Sequence, residues 1–232
     1  MSYWFEKARN NENNLNEKSK KKINILLIER GAQRLKFDSL LKKEVEDNQS
    51  EFERMRIDLK DLYLNKVPLV EKSTNYILYG KHLCGVATDY AIRCLKHSLD
   101  NFTKQNERIK FKGFVLAVCC HHQCEYDSFC GKDFLKKFNI DSKLFYILRS
   151  ISSWYTGSTN QEILFGHEKP KLGRICKNLF DYARMQYIIS NISLPSGYYL
   201  KPKLFYYIET DVTLENTMLF VSIEKNDLSK NK

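Results

Sequence analysis

The sequence predicts an α/β protein built on an open, mostly parallel sheet whose last two strands run antiparallel. Three observations carry this. The stretch 114–124 (FVLAVCCHHQC) opens with seven apolar or thiol residues, too few for a useful helix, bounded by Lys112-Gly113 and by a polar cluster; it reads as a strand buried on both faces. The stretch 76–79 (YILY) has the same build and runs into Gly80-Lys81-His82-Leu83-Cys84-Gly85, then into a helical pattern at 90–99. Near the end, 198–209 and 216–224 read as strands joined by a short turn around 211–214, and strands joined that tightly pair antiparallel.

The other elements follow in order. Residues 2–8 read as a short amphipathic helix and 10–22 (NNENNLNEKSKKK) as a mobile polar loop. A strand is expected at 23–28 (INILLI) with Glu29 at its carboxyl end, and a second at 55–59 (MRIDL) with Asp58 near its end. Pro68 is expected to keep 61–68 out of regular helix. Helices are expected at 130–138 and 141–154, then a polar, irregular segment over 157–170. A long amphipathic helix is predicted over 172–189, with Ile175, Leu179, Tyr182, Met185 and Ile188 spaced for burial and Arg174, Lys177 and Arg184 left for water or phosphate. Residues 225–232 form a polar tail, and 1–224 is expected to be one domain.

Composition narrows the class. A net charge of +10 suits a polyanionic partner, although surplus lysine also serves simply to solvate a surface. The seven cysteines lack the spacing of a secreted disulfide framework and read as reduced thiols of an intracellular protein, cytoplasmic or nuclear. Apolar runs fall short of the roughly 18 residues of a membrane span, and the N-terminal residues lack the apolar centre of a signal peptide, so no membrane association is expected.

Several side chains can carry chemistry. Glu29, after an early strand, is placed to accept hydrogen bonds from a ribose diol, as carboxylates do in nucleotide-binding α/β folds, or is an ordinary solvated charge. Asp58 meets a base or caps a turn. Gly80 and Gly85 permit tight turns and close approach to a ligand, while Lys81, His82 and Cys84 supply a cation, an acid/base group and a thiol. Thr88 or Asp89 can cap the following helix. Zinc is a rival reading of Cys120 and Cys124 with His121 and His122 between them. Against it, adjacent strand residues point to opposite faces, so Cys119 and Cys120 converge only if the strand has ended, and no metal is expected. The cysteines also suit simple packing as small apolar groups.

The run Gly80-Lys81-His82-Leu83-Cys84-Gly85-x-Ala87-Thr88-Asp89, then Arg93-Cys94-Leu95, then Cys119-Cys120-His121-His122-x-Cys124 resembles the tRNA 2′-O-methyltransferases that modify the fourth nucleotide of the acceptor stem. Arg56-Ile57-Asp58, Leu64-Asn65-Lys66-x-Pro68, Ser152-Ser153-Trp154, Cys176-Lys177 with Asp181, Tyr206-Tyr207 and Leu214-Glu215-Asn216 extend the likeness in the same order. The resemblance implies a Rossmann-like class I methyltransferase sheet, S-adenosylmethionine as cofactor and tRNA as partner. It also implies a glycine-rich cofactor turn after a first strand. Ser2-Tyr3-Trp4 looks like the start of the helix that would follow that turn, so the strand and turn are expected to be missing, from an N-terminally shortened piece of a longer protein or from a decayed copy. Such a loss would leave the flanking strands with unpaired edges or force them together.

In this reading Glu29, Asp58, Gly80 and Gly85 bind cofactor. His82 or His121 receives or relays the proton of the ribose hydroxyl, and Lys81 stabilises the developing negative charge. His122 orients the site or touches RNA, and charge and placement assign Arg149, Arg174, Lys177 and Arg184 to the RNA surface. The alternatives are a non-catalytic RNA-binding remnant without cofactor and a zinc-stabilised adaptor.

Overall fold

The computed structural model describes residues 23–31, 38–39, 42–43, 50–104, 109–157 and 167–225. The expected helix at 2–8, the loop at 10–22 and the tail beyond 225 lie outside the described residues. The chain divides into two compact units, Met1–Leu62 with Val67–Lys72, and Tyr63–Lys66 with Ser73–Lys232.

The first unit contains a parallel pair, β1 (Ile25–Glu29) and β2 (Phe52–Arg56), in register from Ile25 opposite Phe52 to Glu29 opposite Arg56. β2 begins three residues before the expected strand and ends sooner. Asp58 ends it by capping the 3-10 turn Leu59–Asp61, its carboxylate accepting the Lys60 N–H at 3.1 Å. Across this unit Arg54 grips Asp38 with two charge-assisted bonds of 2.5 and 2.6 Å, and the Arg54 hydrogen bond holds the Asp38 carboxyl below its usual range. Residues 61–67 contain only 3-10 turns, as expected, and α-helix begins at Pro68 itself. Pro68 starts the short α1 (Pro68–Lys72), where its missing N–H costs nothing because the first helical N–H has no intrahelical acceptor.

The second unit contains β3 (Tyr76–Lys81), α2 (Val86–Lys104), β4 (Phe111–Ala117), α3 (Lys132–Lys136), α4 (Ser142–Thr156), α5 (Glu168–Asn191), β5 (Tyr198–Tyr206) and β6 (Thr217–Lys225). Its sheet has the order β3-β4-β6-β5. β3 and β4 are parallel, as a strand–helix–strand crossover through α2 requires, while β6 is antiparallel to both β4 and β5. The last two strands thus pair as expected. The structure as a whole is mixed α/β rather than mostly parallel, with parallel and antiparallel ladders in equal number among the described residues.

One face of this sheet (Phe114, Leu116, Leu219, Val221) packs with Ile92, Leu95 and Leu99 of α2 and with Ile188 of α5. A second cluster gathers Phe129, Leu135, Phe145, Phe180 and Ala183, with Phe129, Phe145 and Phe180 ring centroids 5.0–5.4 Å apart. Asp141 caps α4 by accepting the Leu144 N–H at 2.8 Å. α5 then lies close against α4 at Gly173, where a Cβ would come 2.4 Å from the Tyr155 nitrogen. Helix α5 starts at Glu168, so Pro170 belongs to its first turn rather than to an irregular segment.

The phase of α5 differs from the one its apolar spacing predicts. The buried positions are Pro170, Gly173, Cys176, Lys177, Phe180, Asp181, Ala183, Arg184 and, as expected, Ile188, whereas Ile175 is 61% exposed and Tyr182 43%. The helix buries three charged residues and presents apolar ones outward. Ile175, Leu179 and Tyr182 line an open groove of about 490 Å³ with Leu204, Phe205 and Tyr206.

Candidate active site

Because β3 and β4 are parallel neighbours with Lys81 opposite Ala117, their carboxyl ends discharge at the same edge of the sheet. Both exits turn through a non-glycine residue in the left-handed region, His82 at φ 63° and Cys120 at φ 51°. That conformation costs about 1–2 kcal/mol per residue and persists where the surroundings hold it. At Cys120 the backbone N–H donates to Glu215 Oε1 at 3.2 Å, and the other Glu215 oxygen is ion-paired with Lys177.

The two exit loops seat directly on one another. The Gly85 N–H faces the Cys119 carbonyl at 3.4 Å, Gly85 has φ 51°, and a Cβ there would lie 2.5 Å from the Gln123 backbone. Only glycine meets both demands. At Gly80 the space of the missing Cβ is taken by the Leu83 and Leu116 side chains. Thr88 and Asp89, expected as caps, are instead buried and turned to other partners: the Thr88 hydroxyl donates to the Leu83 carbonyl at 2.5 Å, and Asp89 accepts from the Cys130 N–H at 3.2 Å.

Within this junction the thiols converge. Cys84 Sγ lies 3.6 Å from Cys119 Sγ, and the sulfurs of Cys84, Cys119 and Cys120 are all within 4.8 Å of one another. Burial, then contact with Cys84, pushes the Cys119 thiol well up, and the same causes raise Cys120.

The imidazoles are divided. Lys81, His82 and His122 are exposed, whereas His121 is 1% exposed, because the 3-10 turn His121–Gln123 points its first residue inward and the next two outward. His121 Nε2 lies 2.7 Å from Asp181 Oδ1, and among the described residues neither His121 Nδ1 nor Asp181 Oδ2 has a hydrogen-bond partner. His82 and His121, the two histidines expected to receive or relay a proton, thus stand in different settings.

Behind His121 is a buried charge network centred on Arg184, itself fully buried. Its guanidinium donates to both Asp89 oxygens (3.1 and 2.8 Å), to Asp181 Oδ1 (3.2 Å), to the Gly85 carbonyl (3.1 Å) and to Cys124 Sγ (3.1 Å). Burial opposes the Arg184 charge, but Asp89, Cys124 and Asp181 more than offset it and hold its proton more tightly than usual. Burial likewise works against the Asp181 carboxylate, and His121 and Arg184 overcome it, leaving that carboxyl below its ordinary range. Burial pushes the Cys124 thiol up to about 12. The assignment of Lys177 and Arg184 to an RNA surface is therefore corrected: Lys177 is 4% exposed and paired with Glu215, and Arg184 binds two carboxylates in the interior.

Arg149 and Arg174 are half-buried and engaged. Arg149 donates to the Cys124 carbonyl (3.2 Å) and Glu125 (3.1 Å) and lies over the Tyr146 ring. Arg174 bonds the Tyr155 hydroxyl and lies 4.2 Å from the Tyr206 ring centroid. In the first unit, Glu29 Oε1 accepts the Gly31 N–H at 2.9 Å and Asp58, besides capping its turn, lies 3.5 Å from Arg30. Glu215 is the residue that reading from local pattern missed; its only signal was its place in the Leu214-Glu215-Asn216 motif.

Among the described residues no helix is long and apolar enough to cross a membrane. No solved structure matches the chain. The tRNA:m(4)X modification enzyme TRM13 homolog of Mus musculus is 29% identical over 94% of this chain and 56% of its own length. The tRNA:m(4)X modification enzyme TRM13 of Scheffersomyces stipitis is 33% identical over 85% of this chain and 50% of its own, and that of Schizosaccharomyces pombe is 30% identical over 84% and 53%. The chain thus spans about half the length of the curated relatives it matches. The family described as Methyltransferase TRM13 matches residues 1–222, so loops, buried network and strand ends together are those of a chain that belongs to this family.

Proposed function

We propose that this chain acts in S-adenosylmethionine-dependent 2′-O-methylation of tRNA, at the ribose of nucleotide 4 in the acceptor stem, on a Rossmann-like methyltransferase sheet. The observation that carries the reading is the seating of the Gly80–Gly85 loop on the Cys119–Cys124 loop at the carboxyl ends of two parallel strands, in a member of a methyltransferase family. That is where open α/β sheets hold their ligands.

The donor set suits the cofactor in chemical kind. Within the first unit, taken by itself, Glu29, with Oε1 bonded to its own loop, offers its second oxygen to a ribose diol, and Asp58 offers an acceptor to an adenine amine. The expected cofactor role of Gly80 and Gly85 is corrected to one of packing, since Leu83, Leu116 and the Gln123 backbone fill the space beside them. S-adenosylmethionine supplies a methyl group activated on sulfonium sulfur. A ribose hydroxyl is a poor nucleophile that must be aligned and lose its proton as the bond forms. His82 is favoured as the acceptor because it is exposed, while His121 is sequestered against Asp181. Lys81 steadies the charge growing on the oxygen, and His121 holds the second loop in place. His122, Arg174 and Arg149 remain for the phosphate backbone, within a chain of net charge +10.

The test is transfer of labelled methyl from S-adenosylmethionine to unmodified tRNA, followed by alkaline hydrolysis, which a 2′-O-methyl group blocks at its own linkage. An alkali-resistant dinucleotide at nucleotide 4 is expected. Label in a base, or tRNA binding with no calorimetric binding of S-adenosylmethionine, would overturn the proposal; the second outcome makes the chain a non-catalytic RNA-binding domain.

A further inference from the structure

We infer that Cys84, Cys119 and Cys120 form a binding site for one zinc ion, with three thiolate ligands and a fourth position open to solvent.

The first argument is geometric. A tetrahedral zinc with bonds of about 2.3 Å to sulfur sets its thiolates about 3.8 Å apart. Here Cys84 and Cys119 sulfurs stand 3.6 Å apart and the third sulfur is within 4.8 Å of both. Small rotations about the side-chain bonds bring all three to the required spacing. The second argument is the backbone. Adjacent strand residues diverge, yet Cys119 and Cys120 converge because β4 ends at Ala117 and Cys120 takes a left-handed turn. That strained turn is fixed from outside by Glu215, whose carboxylate accepts the Cys120 N–H and is itself held by Lys177.

Cys119 is buried like the cysteines outside the cluster, but its two partners in the cluster are not. Cys124 and Cys130 are sealed in the core, where a thiol serves as a small apolar group, whereas Cys84 and Cys120 are only half-buried. An ion can reach them. The ligands come from loops after two different strands, so binding would tie the strand ends together. The balance is simple: three Cys–SH groups plus Zn(II) give three Zn–S bonds and release about three protons at neutral pH, and no oxidant is needed. The proposal stands independently of methyl transfer.

Cobalt(II), as a spectroscopic substitute for zinc, tests it on the reduced full chain. Titration should end at one Co(II) per chain with a thiolate-to-cobalt charge-transfer band in the near ultraviolet, and one equivalent of zinc should abolish the band. Calorimetry in buffers of different ionisation enthalpy should report release of about three protons per zinc. The triple variant C84S/C119S/C120S should lose the band, and Cys176→Ala, outside the cluster, should keep it. Absence of the band in the unaltered chain would overturn the site without recourse to any variant, as would a band that survives the triple substitution.

Discussion

Two polar clusters adjoin the same two loops, one reaching into α2 and α5 and the other facing outward, and they differ in what surrounds them. Asp89, His121, Asp181 and Arg184 are buried and bonded to one another, while Lys81, His82 and His122 are exposed, with the half-buried Cys84 and Cys120 beside them. Side chains of the same chemical kinds serve in one place as a frame and in the other as groups a substrate can meet. The difference teaches that the chemistry of a motif does not say which of its members are reactive; packing against residues far along the chain does.

Substitutions test that contrast, beginning with the largest expected effect. Arg184→Met leaves the Asp89 carboxylate buried without its cation and Asp181 with His121 alone, and should lower stability to urea by about 3–5 kcal/mol. A midpoint unchanged from the parent would break the division between frame and site. Gly85→Ala should cost about 2 kcal/mol in the same measurement, from the left-handed backbone and the collision with Gln123, and should reduce methyl transfer together with stability.

The acid limb of stability sharpens the comparison. The Asp181 carboxyl is held below its usual range, so its contribution is complete above the unfolded value of about 3.9 and is lost as pH falls through the lower folded value. Denaturation followed between about pH 5 and 2 should show that loss, and Asp181→Asn should flatten it. Smallest in stability, His82→Ala should stay within about 0.5 kcal/mol of the parent. Its single-turnover methyl transfer should nonetheless fall by about 10²–10⁴-fold. A His82 variant that is both stable and active removes it from the mechanism.

Much of the strand and helix pattern was legible because it is local. The apolar runs before Gly80 and Cys119 announced β3 and β4, and tight spacing announced the antiparallel β5–β6 pair. The phase of α5 was not legible. Of the positions spaced for burial, Ile188 is buried and Leu179 packs on the core, but Ile175 and Tyr182 face outward, because periodicity alone does not tell the buried stripe from its neighbour. What decides it is Arg184, whose partner Asp89 is 95 positions away and whose burial no local pattern announces. The same holds at Cys119 and Cys120. Alternation argued against their convergence, and the end of β4 together with a left-handed residue removed the premise.

The outward apolar residues of α5 carry a practical consequence. Peptides or fragments cut from α5 would present Leu172, Ile175, Tyr182 and Ile189 alongside newly uncovered Phe180 and Ile188, leaving no purely hydrophilic side. Any boundary drawn between Asp89 and Arg184 separates the halves of one ion pair. Pieces made that way should clump rather than fold, and dissection of this region is better attempted by point substitution than by truncation.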